Sequence, residues 1–177
     1  LSNLVLICSV QKKYPQAEQY AKRILEICEK ALGPEHVSVA VALNDLGGIA
    51  KQQAKFTEAE QYYKRAQAIL EKAKGPAGTQ AAMIQTTLAE LYLDQKRFAE
   101  AEESARRAVA ALEKALGPLH HQVMAALQTL GTIYSAEGKH AEAIAAEQRA
   151  LDICKRTLGW SRPAMMQSQA LLADAYK

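Results

Sequence analysis

Cysteine is scarce and unevenly placed: Cys8, Cys28 and Cys154 are the only three. An odd number at irregular spacing is no disulfide framework. Cys28 and Cys154 sit three repeats apart, tens of Å at roughly 10 Å per helix layer, whereas a bond needs Cα atoms within about 7 Å. Reduced thiols and a cytoplasmic setting follow. Glycine (9) and proline (5) are also sparse beside abundant Ala, Leu, Gln, Glu and Lys, which favours an all-helical protein. No apolar run reaches the 18 residues of a membrane span. Net charge is +3, with 22 basic and 19 acidic residues interspersed. No basic stripe for nucleic acid is present. Leu1–Val10 is apolar but has no positive leader and no small-residue cleavage site, so it reads as a core helix rather than a signal peptide. Because it starts at Leu1 rather than Met, the chain is expected to be a fragment or a processed form of a longer one.

What the chain has is a period of 42. Leu4, Leu46, Leu88, Leu130 and Leu172 fall on one comb. So do Ala17, Ala59, Ala101 and Ala143, and so do Gly33, Gly75, Gly117 and Gly159. The first three glycines precede Pro34, Pro76 and Pro118. A fixed period of this size means stacked units, each burying its apolar face on its neighbours. The expected organisation is one array over residues 1–177, with partial repeats at 1–30 and 157–177 and full repeats at 31–72, 73–114 and 115–156.

Each unit reads as two helices. Ala40, Leu43, Leu46, Gly47 and Ala50 give one apolar helical face; Ala59, Tyr62, Tyr63, Ala66, Ile69 and Leu70 give the next. Thr57 and Glu60 have the spacing of a capping box between them. Gly75-Pro76 ends the second helix, since glycine reaches the left-handed C′ conformation and proline cannot continue. Helices are expected at about 1–12 and 15–32, 36–53 and 57–74, 79–95 and 98–116, 120–137 and 140–158, then one from about 162. Pro15 suits a first turn, and Thr79 and Ser161 suit N-caps. Small residues (Gly47, Ala89, Gly131, Ala173) mark close helix approach, and Tyr92, Tyr134 and Tyr176 fill space between repeats, with Cys8 in their column as a small core hydrophobe.

The pattern Leu46-Gly47-x-x-Ala50, Phe56-x-x-Ala59, Tyr63 and Ala66, repeated at Leu130-Gly131-x-x-Tyr134 and Ala143, resembles the tetratricopeptide repeat. The linkers Ala31-Leu32-Gly33-Pro34-Glu35-His36 and Ala115-Leu116-Gly117-Pro118-Leu119-His120 look like the long-repeat branch typified by kinesin light chains. The resemblance implies an all-α, right-handed α-solenoid of antiparallel helix pairs with about nine helices. It also implies a concave groove, lined by the first helix of each pair, that binds peptides or protein segments. The inward positions would be Val41, Asn44, Gly48, Lys51 and Gln52; then Met83, Thr86, Glu90 and Asp94; then Ala125, Gln128, Thr132 and Ser135.

Chaperone-binding members hold a peptide carboxylate with cations early in the first helices. Here those columns hold Val41, Met83 and Ala125, and Asn3, Asp45, Thr87 and Thr129, with no cation. The cationic groove residues of kinesin light chains are not evident either. Asp45, Glu90, Asp94 and Asp174 against Lys51 and Lys177 lean the groove neutral to acidic.

No chemistry stands out. His36, His120, His121 and His140 lie in linkers or turns, and His36 and His120 are too far apart to share a metal. No phosphate loop, carboxylate pair or HExxH is present. The column Arg23, Arg65, Arg107 and Arg149 reads as an exposed face beside Glu60, Glu71, Glu102 and Glu113. The expectation is a protein-interaction module with no enzyme activity, catalytic residue, metal or cofactor. Its partner would be a protein or peptide, not an acidic C-terminal tail, nucleic acid or membrane. The first helix is expected to be covered, either by upstream repeats or through self-association of the terminal helices, because Leu1, Leu4, Val5, Leu6, Ile7 and Val10 make it apolar nearly all round. The alternative is a sensor or regulatory arm of a signalling protein that carries a nucleotide-switch or protease domain elsewhere.

Overall fold

In a computed structural model, which describes residues 2–73 and 77–158, eight helices and no strand occur among the described residues. They are α1 (Ser2–Val10), α2 (Tyr14–Leu32), α3 (Val37–Gln52), α4 (Phe56–Lys72), α5 (Ala77–Asp94), α6 (Phe98–Leu116), α7 (His121–Ala136) and α8 (His140–Leu158). The helix expected from about 162, with Ser161, Leu172, Ala173, Asp174, Tyr176 and Lys177, lies outside the described residues, as do Leu1, Gly75, Pro76 and Gly159.

Two compact units divide the chain, Leu1–Ile84 and Gln85–Lys177. In the first, α2 packs on α1 and α3, and α3 packs on α4. In the second, α7 packs on both α6 and α8. The buried residues are those of the combs: Leu43, Leu46, Ala59 and Tyr63 in one unit, and Ala101, Leu127, Ala143 and Tyr134 in the other. Each buried leucine contributes roughly 1.5–3 kcal/mol relative to an exposed one. Tyr92 and Tyr134 are in the core as expected, and Cys8 occupies the same column as a small buried residue. Cys8, Cys28 and Cys154 are free thiols.

The turn inside each helix pair is tighter than a capping box allows. Lys12, Ala54, Lys96 and Gly138, one column, all have φ between 56° and 77°. The next amide then reaches back five residues, Lys55 N–H to the Ala50 carbonyl at 2.9 Å and Lys139 N–H to the Tyr134 carbonyl at 2.8 Å. This closure satisfies end carbonyls of the first helix. The second helix starts at once, at Phe56, with Lys55 at the N-cap and no side-chain cap. Thr57 therefore lies inside the first turn rather than capping it, and Glu60 pairs with Lys64 at 2.7 Å. Thr79 likewise sits within α5 and not at its N-cap.

Between pairs the linker histidines supply the caps. His36 Nδ1 accepts from the Ser38 amide at 3.1 Å, and His120 Nδ1 from the Gln122 amide at 3.3 Å. Gly33 and Gly117 stop the preceding helices at φ 88°, ψ 157° and φ 86°, ψ 158°. That is the extended region at positive φ, open essentially to glycine alone, not the left-handed helical turn expected from the sequence.

One helix departs from the burial pattern. Leu4 on α1 is 42% exposed, while Leu46, Leu88 and Leu130 in its column are at most 7% exposed. Leu6, Ile7 and Val10 are exposed with it.

Candidate binding face

The first helices α3, α5 and α7 each bury one side and leave the other accessible. On α3, Val41 and Gln52 are exposed and Asn44, Gly48 and Lys51 half-buried, while Leu43, Leu46 and Gly47 are buried. On α5, Met83, Glu90 and Asp94 are exposed and Thr86 half-buried. On α7, Ala125, Thr132 and Ser135 are exposed and Gln128 half-buried. None of the thirteen residues singled out from the sequence is buried, and on each helix they share one face. The column Val41, Met83, Ala125 is apolar and open on all three helices; Val41 is 50% exposed and Met83 46%. Polar groups flank it.

The polar groups are partly committed to their own helix. Thr132 Oγ1 donates to the Gln128 carbonyl at 2.9 Å, and Thr129 Oγ1 to the Ala125 carbonyl at 3.3 Å. Each hydroxyl thus keeps lone pairs to accept from a ligand while its proton is used. Asp45 is half-buried on α3, and burial holds its carboxyl above the usual carboxylate range. Glu90 and Asp94 are exposed, so they carry more of the open face's acidic lean than half-buried Asp45.

The second helices carry the ion pairs. Arg65 bonds Glu29 at 2.5 Å, Arg107 bonds Glu103 at 2.6 Å, and Arg149 bonds Glu113. Three of the four column arginines are thus neutralised, though by different carboxylates from most of those expected. Glu71 instead accepts from Gln67, and Glu102 holds Lys139 and Arg106.

Sequence reasoning missed a second cationic column, Lys13, Lys55, Arg97 and Lys139, just after each tight turn. Lys55 reaches Glu18 at 3.1 Å and Lys139 reaches Glu102 at 2.6 Å, each 37 residues back. Gln53 and Lys22 also donate to Glu18, at 3.0 Å and 2.7 Å. Led by Lys22 and then Gln53, these donors hold its carboxyl down to about 2. At the other pair, Lys139 holds Glu102 below its ordinary value. A basic residue at a 42-residue spacing was the available signal. Among the described residues no three His, Cys, Asp or Glu side chains converge as a metal site, and no helix is long and apolar enough to cross a membrane.

Comparison with known proteins agrees with this geometry. A family model for the tetratricopeptide repeat matches residues 1–72 and 80–176. A putative kinesin light chain with TPR-like repeats from Podosopora anserina superposes with TM-score 0.82 at 24% identity, covering 98% of this chain and 82% of that one. BtubC (BKLC) from P. vanneervenii gives 0.84 at 17% identity, covering 99% and 70%. The N-terminal domain of stress-induced protein-1 from C. elegans gives 0.58 at 19% identity, covering 76% and 95%. At these identities the likeness is one of fold. A search of curated proteins finds no match.

Proposed function

Because the chain belongs to the tetratricopeptide repeat family, we propose that it is a non-enzymatic interaction module that holds a peptide or protein segment on the open faces of α3, α5 and α7. The observation that supports this reading is the exposed apolar column Val41, Met83, Ala125 with polar residues on either side. An apolar side chain of the ligand would anchor on Val41 or Met83. Asn44, Thr86, Gln128 and Thr132 would meet its backbone, and Glu90 and Asp94 would favour a neutral or basic segment over an acidic one. The clamp columns hold no cation, so a terminal carboxylate would be desolvated without a charged partner. Cytoplasmic residence and one continuous array over 1–177 belong to the same proposal, on the free thiols and the unbroken 42-residue register.

The test is a titration of peptides against the intact chain. Neutral or basic peptides with one large apolar residue should bind, and Met83→Ser and Glu90→Lys should each weaken them severalfold. Acidic C-terminal peptides should bind no better than scrambled controls. Micromolar binding that depends on a free terminal carboxylate would overturn the assignment.

A further inference from the structure

A second surface, on the second helices, has a vacancy that the repeat itself explains. The column 20, 62, 104, 146 reads Tyr, Tyr, Ser, Ala. In the first unit, Tyr62 of α4 and Leu25 of α2 both pack against the core cluster that holds Leu46 of α3. Shifted by two repeats, those positions are Ala146 on α8, Val109 on α6 and Leu130 on α7. With alanine in place of the ring, a furrow of about 420 Å³ opens there. Val109, Leu127, Leu130, Tyr134, Ala145 and Ala146 are among the residues that line it.

We propose that this furrow is a docking site for an aromatic side chain, Tyr or Phe, carried by a segment of a partner protein. The occupant follows from the internal template: at the equivalent position of the first unit, Tyr62 of α4 packs a phenol ring against the core cluster. An aromatic ring buries roughly 150–250 Å² and prefers an apolar floor with another ring nearby, which Tyr134 supplies. The rim fixes the charge of the ligand. Arg149 is paired with Glu113, and Arg106 with Glu102 and with the Tyr134 hydroxyl, which accepts from its Nε at 2.9 Å. A charged anchor would have to break one of these pairs, whereas a neutral ring displaces only water. None of the lining residues belongs to the face on α3, α5 and α7, so the two surfaces can be tested apart.

The experiment is amide and methyl NMR mapping on the intact chain with two capped pentapeptides, one with tyrosine at the centre of four alanines and one of alanine throughout. The tyrosine peptide should shift Val109, Leu130 and Ala146, and the alanine peptide should not. Ala146→Tyr, which copies the first unit, should raise the Tm and weaken the tyrosine peptide at least tenfold. Tyr62→Ala should open a second locus at Leu25 and Leu46. If Ala146→Tyr does not fold, the two-peptide map and Tyr62→Ala still decide. Equal shifts from both peptides, shifts confined to Val41 and Met83, or binding unaffected by Ala146→Tyr would overturn the proposal. So would p-cresol binding in the furrow with no contribution from the tyrosine peptide.

Discussion

Gly131 of α7 and Glu147 of α8 occupy one slot: a Cβ on Gly131 would overlap the Glu147 carboxylate. Two repeats earlier, a Cβ on Gly47 would lie 2.5 Å from the Tyr63 ring. At the equivalent positions Ala89 and Ala105 are both small and fully buried, and Val5 sits with Ala21 in one core cluster. The two columns are thus complementary in size, and a large residue on one helix accompanies glycine on the other. Glu147 is the odd member, a 2% exposed carboxyl whose oxygens have no hydrogen-bond partner among the described residues.

Burial pushes the Glu147 carboxyl up to about 7. Its unfolded value is about 4.3. The folded state therefore holds the proton longer, so this group's stabilising contribution is complete below about pH 4 and is lost as pH rises toward 7. Glu147→Ala, the residue found at 21 and 105, should flatten that decline and raise stability at pH 8 by on the order of 1–3 kcal/mol. Denaturant melts from pH 4 to 8 check it; parallel curves for the two proteins would sink the idea.

Glu18 behaves in the opposite sense. Its carboxyl is held at about 2, below the unfolded value, so its contribution is present above about pH 4 and disappears as pH falls toward 2. Glu18→Gln should cost less than about 1 kcal/mol at pH 7, since Lys22 and Lys55 are partly solvated. The variant and parent should converge near pH 2, measurable by thermal melts in low salt.

The turns carry backbone strain that substitution can relieve or create. Ala54 holds φ 57° without being glycine, and Ala54→Gly should stabilise by about 1 kcal/mol. Gly33, at φ 88° and ψ 157°, should not tolerate a side chain, and Gly33→Ala should cost roughly 1–3 kcal/mol although nothing lies within 4 Å of the added carbon. Matched urea titrations of both variants test the pair; a destabilised Ala54→Gly would contradict the first half.

Leu4, Leu6, Ile7 and Val10 form an open apolar face on α1 where the α3 counterparts Leu46 and Ile49 are covered. The chain by itself should self-associate as concentration rises. Leu6→Lys with Val10→Lys should abolish this and leave helical content unchanged. Sedimentation velocity decides, and a parent that stays monomeric at millimolar concentration would end the argument.

The helices were legible in the sequence because apolar spacing and the Gly-Pro linkers are local signals. Boundaries such as Phe98–Leu116 and His140–Leu158 fall within a residue or two of expectation. The open faces on α3, α5 and α7 were legible for the same reason: a residue opposite the core stripe must be accessible. Thr57 misled because its hydroxyl offers a cap that the left-handed Ala54 turn makes unnecessary. The furrow at Ala146 was not legible, since a cavity is set by what a neighbouring helix lacks. Nor was the environment of Glu147, whose charge reads as surface at its own position. The pairs Glu18–Lys55 and Glu29–Arg65 join residues 37 and 36 apart, beyond any helical-spacing rule.

Those pairs tie α2 to the repeat that follows it twice, and Glu102–Lys139 and Glu113–Arg149 do the same for α6. In the language of a one-dimensional lattice, the core sets the energy of each site and the ion pairs add to the coupling between neighbouring sites. Such half-exposed charges are screened over about 10 Å at 0.1 M salt. Ionic strength then acts as a dial on cooperativity rather than on the fold itself. In low salt a unit should melt as one block, and in high salt its helix pairs should loosen one after another, broadening the transition before its midpoint moves.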